Sequence, residues 1–516
     1  MGPSAVAWSE WSDEAFARAR AEDKPVVLDL GAAWCWGSAV MDRETYGDPE
    51  VAAILNRDYV PVRVDSERRP DLHERYTLGG WPTTAFLTPD GRLMGGATYV
   101  DRDQMKRLLV QLKDGFSRNR GRIDEEIARR DAKIAEVLGR ELPGVAALTM
   151  EVFRKTVRGI VGTFDTLHAG FGEAPKFPLV ASLRIVLQAW QETEGPDLEA
   201  VLVRTLDAMG DRGMYDHERG GFFHYVTNNL WTAPRFEKLA EDNAELIRLY
   251  LDAGVATGNE AYVAKAVHAM GWATESLLDP GRGVFAGSQR GDDEYYGASP
   301  RERALREPPP VDPTVFTPAS AAMAGAWIRA AEVLGDEGLA QTALRGLDWL
   351  LGNVVRDGKV AHYHDGEPRV FELGRDPAAL AAALLDAHEH TGAPRWLEAA
   401  GGLLEGIPGR FYSEVERGLV DRAVDAGGVG DLARPRKILA ENAAAAEAFA
   451  RLWAETGEAE HRGWAERLLR AFPDFLDGYG HDTAEYALAA DRLVRAPRDV
   501  RPDGLRGYVP RRRVLR

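Results

Sequence analysis

Cysteine is almost absent from this chain: one residue, Cys35, in 516. A single cysteine excludes an intrachain disulfide and is compatible with a reducing compartment. Positive charge is also in short supply, with 64 Lys and Arg against 81 Asp and Glu and a net charge of -17. That balance argues against sequence-independent binding to nucleic acid or to an anionic membrane, both of which need a basic face. No run of about 18 uninterrupted apolar residues occurs, so no transmembrane helix is expected. The first ten residues lack a basic segment followed by an apolar core, so no signal peptide is expected and the cytoplasm is the expected location. A 45% hydrophobic and 28% charged composition is ordinary for a globular protein, and the length suggests about three domains.

The lone cysteine stands in an informative place. It follows Val26-Val27-Leu28-Asp29-Leu30, an apolar run that reads as a buried strand, and it precedes a helical pattern that starts at Trp36. A sulfur at a strand-to-helix junction faces the positive end of the helix dipole, which favours thiolate over thiol. Dithiol oxidoreductases carry Cys-x-x-Cys here, whereas this chain reads Cys35-Trp36-Gly37-Ser38. Ser38 can hydrogen-bond a thiolate one turn away, but it cannot resolve a mixed disulfide. Cys35 is therefore expected to be a monothiol site, or else a small buried hydrophobe.

The surrounding pattern gives a fold. Ser12 caps a first helix, Asp48-Pro49 opens another, and Tyr59 to Asp65 alternates as a strand. Trp81-Pro82 precedes a strand, Pro89-Asp90-Gly91 turns into a last strand, and helix 101–116 follows. The order α-β-α-(α)-β-α-β-β-α is that of a thioredoxin-like α/β domain, expected over residues 1–118. In that fold Pro82 faces the reactive cysteine, so Cys35, Trp36, Ser38, Trp81 and Pro82 form the candidate site. Residues 119–148 read as a charged helical connector exposed to solvent.

From 149 to 500 the chain is helical and rich in Ala and Leu. It is punctuated by Gly-aromatic segments such as Gly170-Phe171-Gly172, Gly220-Gly221-Phe222, Gly283-Val284-Phe285, Gly409-Arg410-Phe411 and Gly478-Tyr479-Gly480. Their spacing suits helix pairs plus loops and predicts an all-α (α/α)6 toroid. Residues 501–516, with Arg511-Arg512-Arg513, read as a solvated tail.

Acidic and aromatic residues suited to sugar recognition and glycosidic chemistry mark candidates for the toroid pocket. They are Lys176, Phe177, Trp231, Arg235, Glu237, Lys238, Asp242, Asn243 and Glu441. His362 and His364 share a strand face, but no third ligand accompanies them, so no metal and no cofactor is expected. His217 and His224 flank a Gly-Gly turn and are expected to be structural or surface residues.

With these motifs laid out, the chain resembles the spermatogenesis-associated protein 20-like family, a thioredoxin-like domain fused to a six-hairpin toroid. The resemblance rests on Val40-Met41-Asp42-Arg43-Glu44-Thr45-Tyr46, on Val64-Asp65-Ser66-Glu67-Arg68-Arg69-Pro70-Asp71 and on Gly79-Gly80-Trp81-Pro82-Thr83-Thr84. In the second half it rests on Gly170 to Pro178 and on Phe236-Glu237-Lys238 with Asp242-Asn243-Ala244. The family's Cys-His-Trp-Cys-His is here Cys35-Trp36-Gly37-Ser38-Ala39, and a histidine usual before Phe-Glu-Lys is here Arg235. The resemblance implies the fold more than an activity; the first functional reading is a redox-associated protein in which Cys35, as a monothiol nucleophile, forms mixed disulfides with a thiol-containing protein or small thiol. A second reading is a carbohydrate-active or sugar-binding toroid, epimerase- or glycosidase-like. A third is a non-catalytic interaction protein. No nucleic-acid or membrane partner is expected.

Overall fold

The computed structural model describes residues 5–138, 148–472 and 476–495. The tail 501–516 and residues 139–147 of the 119–148 stretch lie outside them. The chain divides into two compact units, Met1–Leu142 with Val424–Arg436, and Pro143–Ala423 with Lys437–Arg516.

The first unit has the predicted thioredoxin-like order. It runs α1 (Asp13–Glu22), β1 (Val26–Gly31), α2 (Trp36–Glu44), α3 (Pro49–Asp58), β2 (Val60–Asp65), α4 (Pro70–Tyr76), β3 (Thr83–Leu87), β4 (Leu93–Ala97) and α5 (Arg102–Arg118). The sheet order is β2-β1-β3-β4, with β1 parallel to β2 and antiparallel to β3. Leu28 sits between Val62 and Ala85, so the apolar run of β1 is covered by strands on both edges. Burial on both faces explains why β1 reads as a continuous apolar run rather than an alternating one. Ser12, Asp48 and Asp101 cap α1, α3 and α5 by accepting backbone N–H bonds.

The charged helix α6 (Arg120–Leu138) was expected to be a solvated connector, but it belongs to this unit. Arg130 donates to the Leu93 carbonyl at 2.9 Å, and Asp131 pairs with Arg92 and with Arg434. Most of its charged residues, Arg122, Asp124, Glu125, Glu126 and Arg129 among them, are exposed, as expected of a solvated helix. Segment 424–436 completes the unit's core with Leu432, while Tyr76 Oη accepts from Asp431 N at 2.9 Å.

The second unit is an (α/α)6 toroid. Six inner helices form a closed ring: α8 (Val180–Thr193), α10 (Ala240–Thr257), α14 (Thr317–Leu334), α16 (Arg375–Thr391), α18 (Leu439–Thr456) and α20 (Thr483–Arg495). The outer helices are α7 (Met150–Gly162), α9 (Pro196–Asp211), α11 (Glu260–Ser276), α15 (Glu337–Asn353), α17 (Pro394–Phe411) and α19 (Ala459–Arg470). Helix α7, first in sequence, packs on α20, last in sequence, and this closes the ring. Two short helices, α12 (Asp293–Tyr296) and α13 (Pro300–Arg303), lie in the long insertion before α14.

The inner and outer helices differ in sequence as their positions require. Along α14 almost every residue from Thr317 to Ala331 is buried, and the helix is built largely of Ala. Along α15 only Ala340, Ala343, Gly346, Leu347 and Leu350 are buried, a single stripe. Left-handed glycines end four inner helices, at Gly258, Gly335, Gly392 and Gly457.

The Gly-aromatic segments form tight hairpins after the outer helices, pairing Phe164 with Phe171, Tyr215 with Phe222, and Leu278 with Phe285. One segment differs from expectation. Gly409-Arg410-Phe411 is the last turn of α17, and the hairpin there uses Gly418-Leu419 paired with Tyr412-Ser413. No helix among the described residues is long and apolar enough to cross a membrane.

Candidate functional site

In the first unit, β1 delivers Cys35 to the N-cap of the nine-residue helix α2. The residue is 6% exposed. Its N–H donates to Ala32 O at 3.0 Å, and its carbonyl accepts from Ala39 N at 3.2 Å. A side chain at an N-cap sits beside the unsatisfied N–H groups of the first turn, where the helix dipole favours a negative sulfur. Pro82, after a cis peptide bond from Trp81, closes the other side. The gap is filled by Gly37, where a Cβ would lie 3.0 Å from Pro82 Cδ and 3.7 Å from Cys35 Sγ. The predicted Cys35–Pro82 juxtaposition is present, and Trp36 opens α2 beside it.

Ser38 does not act as expected on the sulfur. Its Oγ is buried without a hydrogen-bond partner and packs toward Gly31, where a Cβ would lie 3.3 Å away. Trp81 stacks flat on His73 with ring centroids 4.5 Å apart, and meets Trp34 edge-on at 5.1 Å. Burial pushes the His73 imidazole below its usual range, which favours the neutral ring. His73 was not legible as a site residue, because it arrives from α4 with no motif of its own. Behind the site, Asp29 Oδ2 accepts from Arg63 Nε at 2.7 Å. Burial nonetheless raises its carboxyl to about 6, against the pull of Arg63.

In the second unit, two adjoining cavities of about 210 Å³ and 170 Å³ open at the N-terminal ends of α8, α10 and α20. They share Leu179, Val180 and Glu245. Phe177, His224 and Asp242 line the first cavity, and His481, Asp482 and Glu485 line the second. His224 Nδ1 is 2.6 Å from Asp242 Oδ2, and Phe177 stacks on Tyr225 at 4.8 Å. His481 is held by Ser182 Oγ at 2.9 Å and Thr163 Oγ1 at 3.2 Å. Glu245 lines both cavities and is exposed there. The protein packed around the cavity, helped by Glu485 and Glu241, raises its carboxyl to about 8. Glu485 rises to about 7, again mainly from the surrounding protein, despite the opposing Arg184. Groups that titrate near neutrality can give and take protons.

Of the predicted toroid residues, Phe177 and Asp242 meet in this cavity. The others serve elsewhere. Lys176 is buried and donates to Asp165 at 2.8 Å and to the Gly172 carbonyl at 2.6 Å. Trp231 is fully buried, with its indole N–H on Ala169 O. Lys238 is fully buried, donates to Asp216 and Gly220 O, and lies 5.1 Å from the Trp272 ring centre. Glu237 is 4% exposed, Arg235 is exposed, and Glu441 occupies the first turn of α18.

Asn243 accepts from Phe222 N and donates to Phe222 O, clamping a hairpin to α10. Asn442 repeats this clamp on Leu419 for α18. Much of the Phe-Glu-Lys and Asp-Asn motif is therefore structural. His224, expected to be a structural or surface residue, lines the cavity. Its Gly-Gly neighbourhood gave no sign of the partner 18 residues away. His362 is buried on Asp376 at 2.8 Å, and His364 packs edge-on against Trp349. Among the described residues no group of three or more His, Cys, Asp or Glu is placed to hold a metal ion.

Comparison with known proteins agrees with this architecture. The family model Thioredox_DsbH, described as a protein of unknown function, DUF255, matches residues 3–138. Human spermatogenesis-associated protein 20 is 29% identical over 326 residues, 58% of this chain and 41% of the human protein. The chain thus spans about two fifths of that relative's length. Thiol:disulfide interchange protein DsbD 1 of Pseudomonas aeruginosa is 41% identical over 83 residues, 15% of this chain and 14% of that protein. Among solved structures, a D-mannose isomerase superposes with a TM-score of 0.55 at 13% identity, covering 68% of this chain and all of the isomerase. That likeness concerns the fold. Spermatogenesis-associated protein 20 sequences are among the chain's homologues, as its motifs implied, and the chain joins a thioredoxin-like domain to an (α/α)6 toroid.

Proposed function

We propose that this is a redox-associated protein that works through one thiol, Cys35, in the cytoplasm. The observation that carries this reading is the position of Cys35 at the N-cap of α2, across Gly37 from Pro82. In the reaction, the Cys35 thiolate attacks one sulfur of a disulfide R–S–S–R′. A Cys35–S–S–R bond forms, the S–S bond of the partner breaks, and R′–S⁻ leaves and takes up a proton. Without a second cysteine the adduct waits for an external thiolate. That thiolate attacks the R sulfur, forms a new disulfide with R and returns Cys35 as thiolate. The partners are thiol-bearing proteins or small thiols. Incubating the full chain with glutathione disulfide tests this. One mixed disulfide should appear by intact mass and be absent in Cys35→Ser. No adduct on the folded protein would overturn the reading.

A second reading concerns the toroid, and the His224–Asp242 pair beside Glu245 favours it. An imidazole held by a carboxylate and opening on a cavity with a carboxyl near neutrality suits proton transfer on a small hydroxylated molecule, as in carbohydrate-acting enzymes. Activity on such a molecule that survives Cys35→Ser and is lost in Asp242→Asn would establish it. Equal loss in both variants would contradict it.

A further inference from the structure

We propose that Ser182 and His481 form a nucleophile–base pair for acyl transfer, and that the second cavity of the toroid accepts the short acyl group of an ester. The pair is separate from Cys35, and it goes beyond the proton-transfer reading, which rests on His224 and Asp242. Ser182 Oγ lies 2.9 Å from His481 Nδ1, and both residues line the second cavity.

The hydrogen bonds around His481 fix its tautomer. The Thr163 hydroxyl has one proton and donates it to the Ile160 carbonyl at 2.8 Å. Thr163 Oγ1 therefore accepts from His481, so Nε2, 3.2 Å away, carries the ring proton. Burial holds the imidazole below its usual range, against the pull of Asp482, which favours the neutral ring. A neutral ring protonated on Nε2 has a bare lone pair on Nδ1, and Ser182 donates to it. A serine hydroxyl hydrogen-bonded to an imidazole base, with the base oriented by a third group, is the arrangement of an activated nucleophile.

The start of α8 supplies donors for the developing charge. Ser182 is the third residue of that helix, after Val180 and Ala181, and its N-cap Leu179 has no side chain that could accept from their N–H groups. These three N–H groups find no acceptor among the described residues, and all three residues line the second cavity. Free backbone donors beside a nucleophile stabilise an oxyanion. Leu179, Val180, Ala181 and Ala440 give the cavity an apolar wall, and about 170 Å³ holds an acyl chain of a few carbons.

In the reaction, Ser182 Oγ attacks the carbonyl carbon of an ester R–CO–OR′ while its proton passes to His481 Nδ1. The tetrahedral oxyanion collapses, the C–OR′ bond breaks, and the imidazolium gives its proton to the departing R′O. Water then attacks the acyl carbon and loses a proton to His481. The bond from the carbon to Ser182 Oγ breaks, R–COOH leaves, and the serine regains its proton. Asp482, which lines the same cavity, stabilises the imidazolium formed in each half.

The test is covalent labelling of the full chain with diisopropyl fluorophosphate, read by intact mass and peptide mapping. One diisopropylphosphoryl group should appear on Ser182 and none on Ser182→Ala. His481→Asn should label about a hundredfold more slowly, as expected for a lost general base. Mapping on the unaltered chain decides the point even where a variant misfolds. No adduct on the folded chain, an adduct only on another residue, or undiminished labelling of His481→Asn would overturn the pair and leave the His224–Asp242 reading standing. In a Cys35→Ser background, which removes the other nucleophile, p-nitrophenyl acetate should give a Ser182-dependent burst of nitrophenol about tenfold faster than p-nitrophenyl octanoate. Equal rates would overturn the short-acyl assignment.

Discussion

Gly37 and Pro82 touch so closely that a single added methyl at Gly37 would sit 3.0 Å from the proline ring and 3.7 Å from the sulfur of Cys35. Gly37→Ala gains helix propensity of about 1 kcal/mol and loses about as much to overpacking, so thermal stability should change little. The approach to the sulfur should suffer more. Mixed-disulfide formation with glutathione disulfide should slow about tenfold, on the order of 1.4 kcal/mol in barrier. An unchanged rate would show that the partner reaches Cys35 from another side.

Asn243 and Asn442 perform one task at two places in the ring. Each satisfies the N–H and the carbonyl of a buried hairpin residue, Phe222 and Leu419 respectively. Alanine at either position strands those groups and should cost about 2 kcal/mol. Urea unfolding checks this, and near-additive losses are expected in the double variant because the sites share no partner. A loss at Asn243 in ligand binding alone, with stability intact, would contradict the structural role.

Leu432 stands in the core of the first unit, far in sequence from α1 to α5. Leu432→Ala should cost about 3 kcal/mol, in the range for buried leucines. Amides of β1 and β3 should exchange hydrogen faster as a result. Unchanged exchange there would show that the first unit folds without the 424–436 segment.

Glu245 and Glu485 give the folded chain a pH signature. Both carboxyls stand above their ordinary value of 4.5, at about 8 and about 7. The folded state therefore holds protons that the unfolded chain has released, and stability falls as pH rises from about 4.5 toward 8. Glu245→Gln removes one of these groups. It should flatten the fall in melting temperature over that range and leave the variant more stable than the parent at the alkaline end. A steeper fall would contradict a raised Glu245 carboxyl.

Most of the architecture could be read from residues because it depends on local rules. The β1 apolar run, the Ser12 and Asp48 caps and the buried Ala-rich inner helices each declare themselves in a few positions. The Cys35–Pro82 pairing was legible through the element order that brings two junctions together. The toroid cavity was not, because it is assembled from the starts of three inner helices far apart in sequence. His224 and His481 carry no motif, and the surroundings that raise Glu245 and Glu485 exist only once the ring closes. Motif residues such as Lys238 and Asn243 looked chemical because they are charged or polar beside aromatics. A buried charge that ties a loop to a helix produces the same pattern.

The proposed function requires Cys35 to be an activated single thiol. The most direct measurement is its alkylation rate in the folded protein as a function of pH, followed by intact mass. One modification per chain is expected, absent in Cys35→Ser, with a rate that titrates well below about 8.5, the value of a free thiol. A sulfur that reacts only after unfolding, or that titrates at or above the free-thiol value, would contradict it.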